Sequence, residues 1–177
     1  MIAGGAVIAL LVASIAALEV FAARTASEPA PTGWHASLAK MDDAIARGHL
    51  AAAEARWHDA HGHARRSGQW EALIHLGDGS RRLGRAAGGR RAAEAQARDA
   101  YLSGLLRARR AESLEGVLRA AEAFAELGDR DVVEQCVRVA HTLAARTADP
   151  VAMEQVKRFS DRWAARTLEA ERGRASR

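Results

Sequence analysis

Apolar and polar positions along the chain fall into two regimes. From Ile2 to Ala23 nearly every position is apolar, with Ser14 and Glu19 as the exceptions. From Trp34 onward, apolar residues recur every three or four positions among charged ones, the signature of amphipathic helices packed on a core. The pattern predicts an all-α chain of about seven helices behind one N-terminal apolar segment. Trp34, Leu38, Met41 and Ile45 mark one helix face, and Ala53, Trp57, Ala60 and Ala64 the next. Further faces run through Trp70, Leu73, Ile74 and Leu76, and through Leu114, Val117, Leu118, Ala121 and Phe124. Asp149-Pro150 reads as an N-cap followed by proline at the first helical position. It opens a last helix that buries Ala152, Val156, Phe159 and Trp163.

These helices repeat. Gly48, Gly88 and Gly128 are 40 residues apart, as are Ala53, Ala93 and Val133, then Glu54, Glu94 and Glu134, then Ala60, Ala100 and Ala140. Each glycine stands at a predicted turn and is followed by a helix whose buried stripe runs i, i+4, i+7, i+11. The middle copy is expected to slide by four residues, through a turn extended over Gly84-Arg85-Ala86-Ala87-Gly88-Gly89. The organisation that follows is a membrane segment over 1–23, a proline-containing linker over 24–33, a repeat domain over 34–170 and a basic tail over 171–177.

The spacing of a turn glycine followed five, nine and twelve residues later by small, large and small residues resembles the tetratricopeptide family of helix-turn-helix repeats. Gly48, Ala53, Trp57 and Ala60 carry the resemblance, as do Gly128, Val133, Val137 and Ala140. The period of 40 departs from the 34 residues of that family. The resemblance implies an antiparallel helix-pair scaffold with a concave binding groove and no chemistry of its own.

The 22 residues from Ile2 to Ala23 would reach roughly 33 Å as a helix, enough to cross a bilayer. No basic residue precedes the run, and its uncharged core of 17 residues exceeds that of an ordinary signal peptide. A single-pass anchor, at a bacterial inner membrane, is therefore the expectation; a signal segment is the alternative. The side of the membrane that the domain occupies stays open, because only Arg24 and the more distant Lys40 follow the segment. Gly5, Ala9, Ala13 and Ala17 form a stripe of small residues and Glu19 projects close to it. That stripe is a candidate contact with another membrane helix.

Composition narrows the chemistry. Cys136 is the sole cysteine and excludes an intrachain disulfide. His58 and His61, three apart on one helix, are weak candidates for metal ligands, and they flank the stripe of Trp57, Ala60 and Ala64. No nucleophile elbow, phosphate loop or zinc-protease motif occurs, so neither an enzyme nor a cofactor is expected. Charge is uneven: residues 34–110 carry a balance of +6 and residues 111–177 a balance of −1. Arg81, Arg82, Arg85, Arg90 and Arg91 cluster at the glycine-rich turn, a candidate surface for an acidic protein segment or anionic lipid. Nucleic acid is disfavoured, since no recognition motif or aromatic platform accompanies the cluster. The function expected is a non-catalytic, membrane-anchored adaptor that binds a membrane-associated protein partner. The alternative is a secreted periplasmic helical domain that binds a ligand or metal.

Overall fold

The computed structural model describes residues 33–147 and 149–176. Over them the chain is all-α, with seven helices: α1 (Gly33–Ala46), α2 (Leu50–Ser67), α3 (Trp70–Ala86), α4 (Arg90–Arg110), α5 (Leu114–Leu127), α6 (Arg130–Thr147) and α7 (Pro150–Ala175). Among these residues no helix is long and apolar enough to cross a membrane. The apolar segment with Gly5, Ala9, Ala13, Ala17 and Glu19, and the linker up to Thr32, lie outside the described residues.

Each helix packs against its neighbour in sequence through a turn of two or three residues, so successive helices run in opposite directions. In addition α1 packs on α3, α3 on α5 and α5 on α7. These odd-numbered helices form a continuous inner layer, while clefts open between α2 and α4 and between α4 and α6. The stack therefore has two ends. The proximal end holds Gly33, where the chain enters the domain, and the α2–α3, α4–α5 and α6–α7 turns. The distal end holds the α1–α2, α3–α4 and α5–α6 turns.

At the distal end Gly48, Gly88 and Gly128 adopt φ of +73°, +73° and +79°. This left-handed conformation favours glycine, and it stops a helix by turning its last carbonyls onto following amides. After α1, for example, Gly48 N–H donates to Ile45 O and His49 N–H to Ala44 O, both at 2.9 Å. The period of 40 is thus a repeat of one backbone turn. The slide expected in the middle copy does not occur. α3 continues through Gly84, Arg85 and Ala86, and the chain turns at Gly88 in register with the other copies. Gly84 is helical for another reason: a Cβ there would run into Ala93 Cβ of α4, so it permits close approach of the two helices.

The small-residue stripes are buried as expected. Ala53, Trp57, Ala60 and Ala64 of α2 and Ala93, Ala97 and Ala100 of α4 are core residues. Two hydrophobic clusters meet along α3, one built on Trp34, Met41, Trp57 and Leu76, the other on Ile74, Tyr101, Phe124 and Phe159. Both lie wholly within residues 34–163, so the domain carries its own core. α7 starts as its sequence predicts, with Asp149 Oδ1 accepting from Val151 N–H at 2.9 Å. α7 extends to Ala175, and its Glu171 pairs with Arg130 at 3.0 Å.

Candidate functional site

Two surfaces of the stack gather chemistry. The first is the inner face. Its proximal part is an aromatic stack: Trp34 lies on His35 with ring centroids 3.4 Å apart and on His75 at 5.4 Å. The next turn of α3 carries Asp78, which stands one period after Leu38 and one before Leu118. A carboxylate thus occupies a register position that is apolar in the other copies, and it is satisfied from two directions. Tyr101 Oη donates to it at 2.7 Å and the Arg119 guanidinium at 3.0 Å. Burial, with the carboxylate of Asp78 beside it, pushes the Tyr101 hydroxyl well above its ordinary pKa, so it acts as a donor. Arg119 and Arg162 each approach Glu122 at 3.6 Å. They border a groove of 630 Å³ between α5 and α7 with Leu118 and Phe159 in its lining.

The second surface is the cleft of 530 Å³ between α2 and α4. His58, His61 and Arg65 line one wall, Asp99, Ser103 and Arg107 the other, and Leu73 and Leu76 of α3 lie at the base. Trp57 is fixed there by donating its indole N–H to Leu76 O at 3.2 Å. His61 stacks on that indole at 5.4 Å, nearly parallel, and His58 meets its edge at 5.2 Å. Burial, then the nearby Arg65, hold the His61 imidazole below its ordinary pKa, in the neutral form. The two histidines therefore pack around tryptophan. Among the described residues no set of three or more histidine, cysteine or carboxylate side chains is placed to hold a metal. Cys136 is fully buried, and burial raises its thiol to about 11, which keeps it protonated and unreactive.

The arginine cluster divides. Arg81 pairs with Glu126 of α5, and Arg82 makes a two-pronged contact with Asp42 of α1 at 2.8 and 3.1 Å. Both hold neighbouring inner-layer helices together. Arg85, Arg90 and Arg91 remain exposed around the α3–α4 turn, where they make no ion pair among the described residues. The sequence also hides what Arg107 does. Its guanidinium donates to Ala64 O at 3.1 Å, Arg65 O at 2.9 Å and Gln69 O at 3.3 Å, which closes the C-terminus of α2 from α4. No spacing announces that contact. Asp78 and Arg81 did leave a signal, as charged residues at positions that are Leu38 and Met41 one period earlier.

Comparison of the chain with family models, with curated proteins and with solved structures yields no match.

Proposed function

We propose that this chain is a single-pass, membrane-anchored adaptor without catalytic activity. Its tetratricopeptide-like helix pairs hold a partner protein on the inner face, as an accessory subunit of a membrane assembly. The observation that carries this reading is the recurrence of one left-handed glycine turn every 40 residues. It stacks α1, α3, α5 and α7 into one layer, whose groove between α5 and α7 is lined with polar side chains around apolar Leu118 and Phe159. An adaptor needs such a face, with groups able to hydrogen bond around apolar side chains. The buried thiol and the histidines packed on Trp57 offer no activated nucleophile or base to set against it. The anchor in this proposal is the segment Ile2 to Ala23, whose small-residue stripe and Glu19 would meet a second membrane helix.

Site-specific photocrosslinking in native membranes tests the proposal. A photoreactive residue at Gln155, in the inner groove, should capture one recurrent neighbour, whereas one at Glu134, exposed on α6, should capture none. Absence of any adduct from the inner face would sink the adaptor reading. The competing reading, a released periplasmic ligand- or metal-binding domain, draws on the α2–α4 cleft with His58 and His61. Intact mass of the native protein separates the two, since release requires loss of the apolar N-terminal segment.

A further inference from the structure

The proximal end of the stack carries a second set of arginines, distinct from the cluster at the α3–α4 turn. Arg65 and Arg66 end α2, and Arg109 and Arg110 end α4. All four side chains are exposed, and none makes an ion pair among the described residues. They form one patch, because Arg107 bridges the two helix ends through its contacts with Ala64, Arg65 and Gln69. Arginines in last turns commonly serve to offset the helix dipole. Here that need is already met. Arg107 covers Ala64 O and Arg65 O in the last turn of α2, and the last turn of α4 receives Ala111 N–H at 2.9 Å, Glu112 N–H at 3.1 Å and Ser113 N–H at 2.9 Å.

No nearby acidic group pairs with these four arginines among the described residues. In the proximal turns and first helical turns the acidic groups are Glu71, Glu112, Glu115 and Asp149. Glu112 is taken up by Arg146 at 3.1 Å, and Asp149 caps α7. Leu106, 50% exposed, stands one turn before Arg109 and Arg110 on α4. The chain enters the domain at the same place. Trp34 Nε1 donates to Gln69 Oε1 at 3.1 Å, and Gly33 lies so close to the His63 ring that a Cβ would approach Nδ1 to 2.8 Å. His63 in turn is 3.5 Å from Arg66. Only the ten residues Arg24 to Gly33 link this point to the apolar segment, a span of at most roughly 35 Å.

We propose that the proximal face formed by Arg65, Arg66, Arg109, Arg110 and Leu106 docks on the headgroups of anionic phospholipids. Surplus arginines beside an exposed aliphatic side chain suit a headgroup surface, where cations meet phosphate and leucine meets the acyl boundary. The inference deepens the anchored reading and rests on it for the nearness of a bilayer.

The test uses the full chain in vesicles, with an environment-sensitive fluorophore on Ala111→Cys, an exposed site beside Arg110. Cys136 is buried and escapes labelling. Emission should shift to the blue in vesicles containing phosphatidylglycerol and stay unshifted in pure phosphatidylcholine. The shift should vanish in about 1 M salt, where screening shortens the reach of charge to about 3 Å. Combined Arg65→Gln, Arg66→Gln, Arg109→Gln and Arg110→Gln should abolish it, while Arg85→Gln, Arg90→Gln and Arg91→Gln at the distal end should leave it intact. Equal emission in both lipids, or a shift that survives the proximal substitutions, overturns the docking inference alone. A response to soluble polyglutamate in neutral vesicles, without one to phosphatidylglycerol, assigns the face to an acidic protein and also overturns it. Alkaline extraction reads the anchor separately: release of the parent protein would remove the anchored reading and the inference with it.

Discussion

The two ends of the stack reach the same result, an antiparallel turn, by different physical means. At the distal end all three turns are made by the backbone: Gly48, Gly88 and Gly128 share one left-handed conformation. Some of the charges there are paired, Arg82 on Asp42, Arg81 on Glu126, Arg98 on Asp129 and Arg130 on Glu171, while Arg85, Arg90 and Arg91 make no ion pair among the described residues. At the proximal end no two turns are alike. One uses Gly68 in a left-handed conformation, one places the non-glycine Glu112 at φ +51°, and the last is capped by Asp149. Side chains from other helices then secure them, Arg107 onto the end of α2 and Trp34 onto Gln69. A turn fixed by backbone repeats faithfully. A turn fixed by side chains is free to shift along the chain, and α4, with 21 residues, runs further before its proximal turn than α2 and α6, with 18 each.

The largest expected effect comes from breaking the distal end where helices touch. Gly84→Leu forces α3 away from Ala93 of α4 at a site with no room for a Cβ. A loss of about 3 kcal/mol is expected, toward the upper range for overpacking. Thermal unfolding followed by circular dichroism checks it; an unchanged midpoint would mean that α3 and α4 do not approach here.

Next in size is the proximal staple. Arg107→Ala strips three carbonyls of their charged donor. The expected cost is about 2 kcal/mol, reduced to the extent that water reaches the same oxygens. Because the damage is local, amide exchange should rise in the last turn of α2 and around Gln69 before the global core is affected. Uniform loss across α2 would show that the staple supports the whole helix.

How much of this was legible beforehand follows the same division. Burial of Ala53, Trp57, Ala60 and Ala64 could be read from helical spacing, because the apolar stripe is a local property. The recurrence of Gly48, Gly88 and Gly128 was legible because a left-handed turn constrains residue type. Gly84 misled: sequence does not distinguish a glycine that ends a helix from one that lets two helices meet. For the arginines the difficulty was greater. Nine fall between Arg81 and Arg110, yet their fates depend on partners up to 45 residues away, such as Glu126 for Arg81. The exposed group at the ends of α2 and α4 is assembled from two separate runs that only the stacking of those helices brings together.

The smallest effect is also the sharpest test of the contrast, because it exchanges the chemistry of one end for that of the other. Gly88→Ala puts a Cβ into a left-handed position with open space around it, so only backbone strain opposes it. A loss of about 1 kcal/mol is expected. Glu112→Gly removes comparable strain at φ +51°, but it also increases the freedom of the unfolded chain and breaks the pair with Arg146. That pair is well exposed, with side chains 65% and 69% accessible, and contributes little. The opposing contributions should leave Glu112→Gly within about 0.5 kcal/mol of the parent. Denaturant melts of the two variants, compared at unchanged slope, decide the matter. If Gly88→Ala proves as mild as Glu112→Gly, the distal turns do not owe their regularity to glycine, and the period of 40 needs another cause.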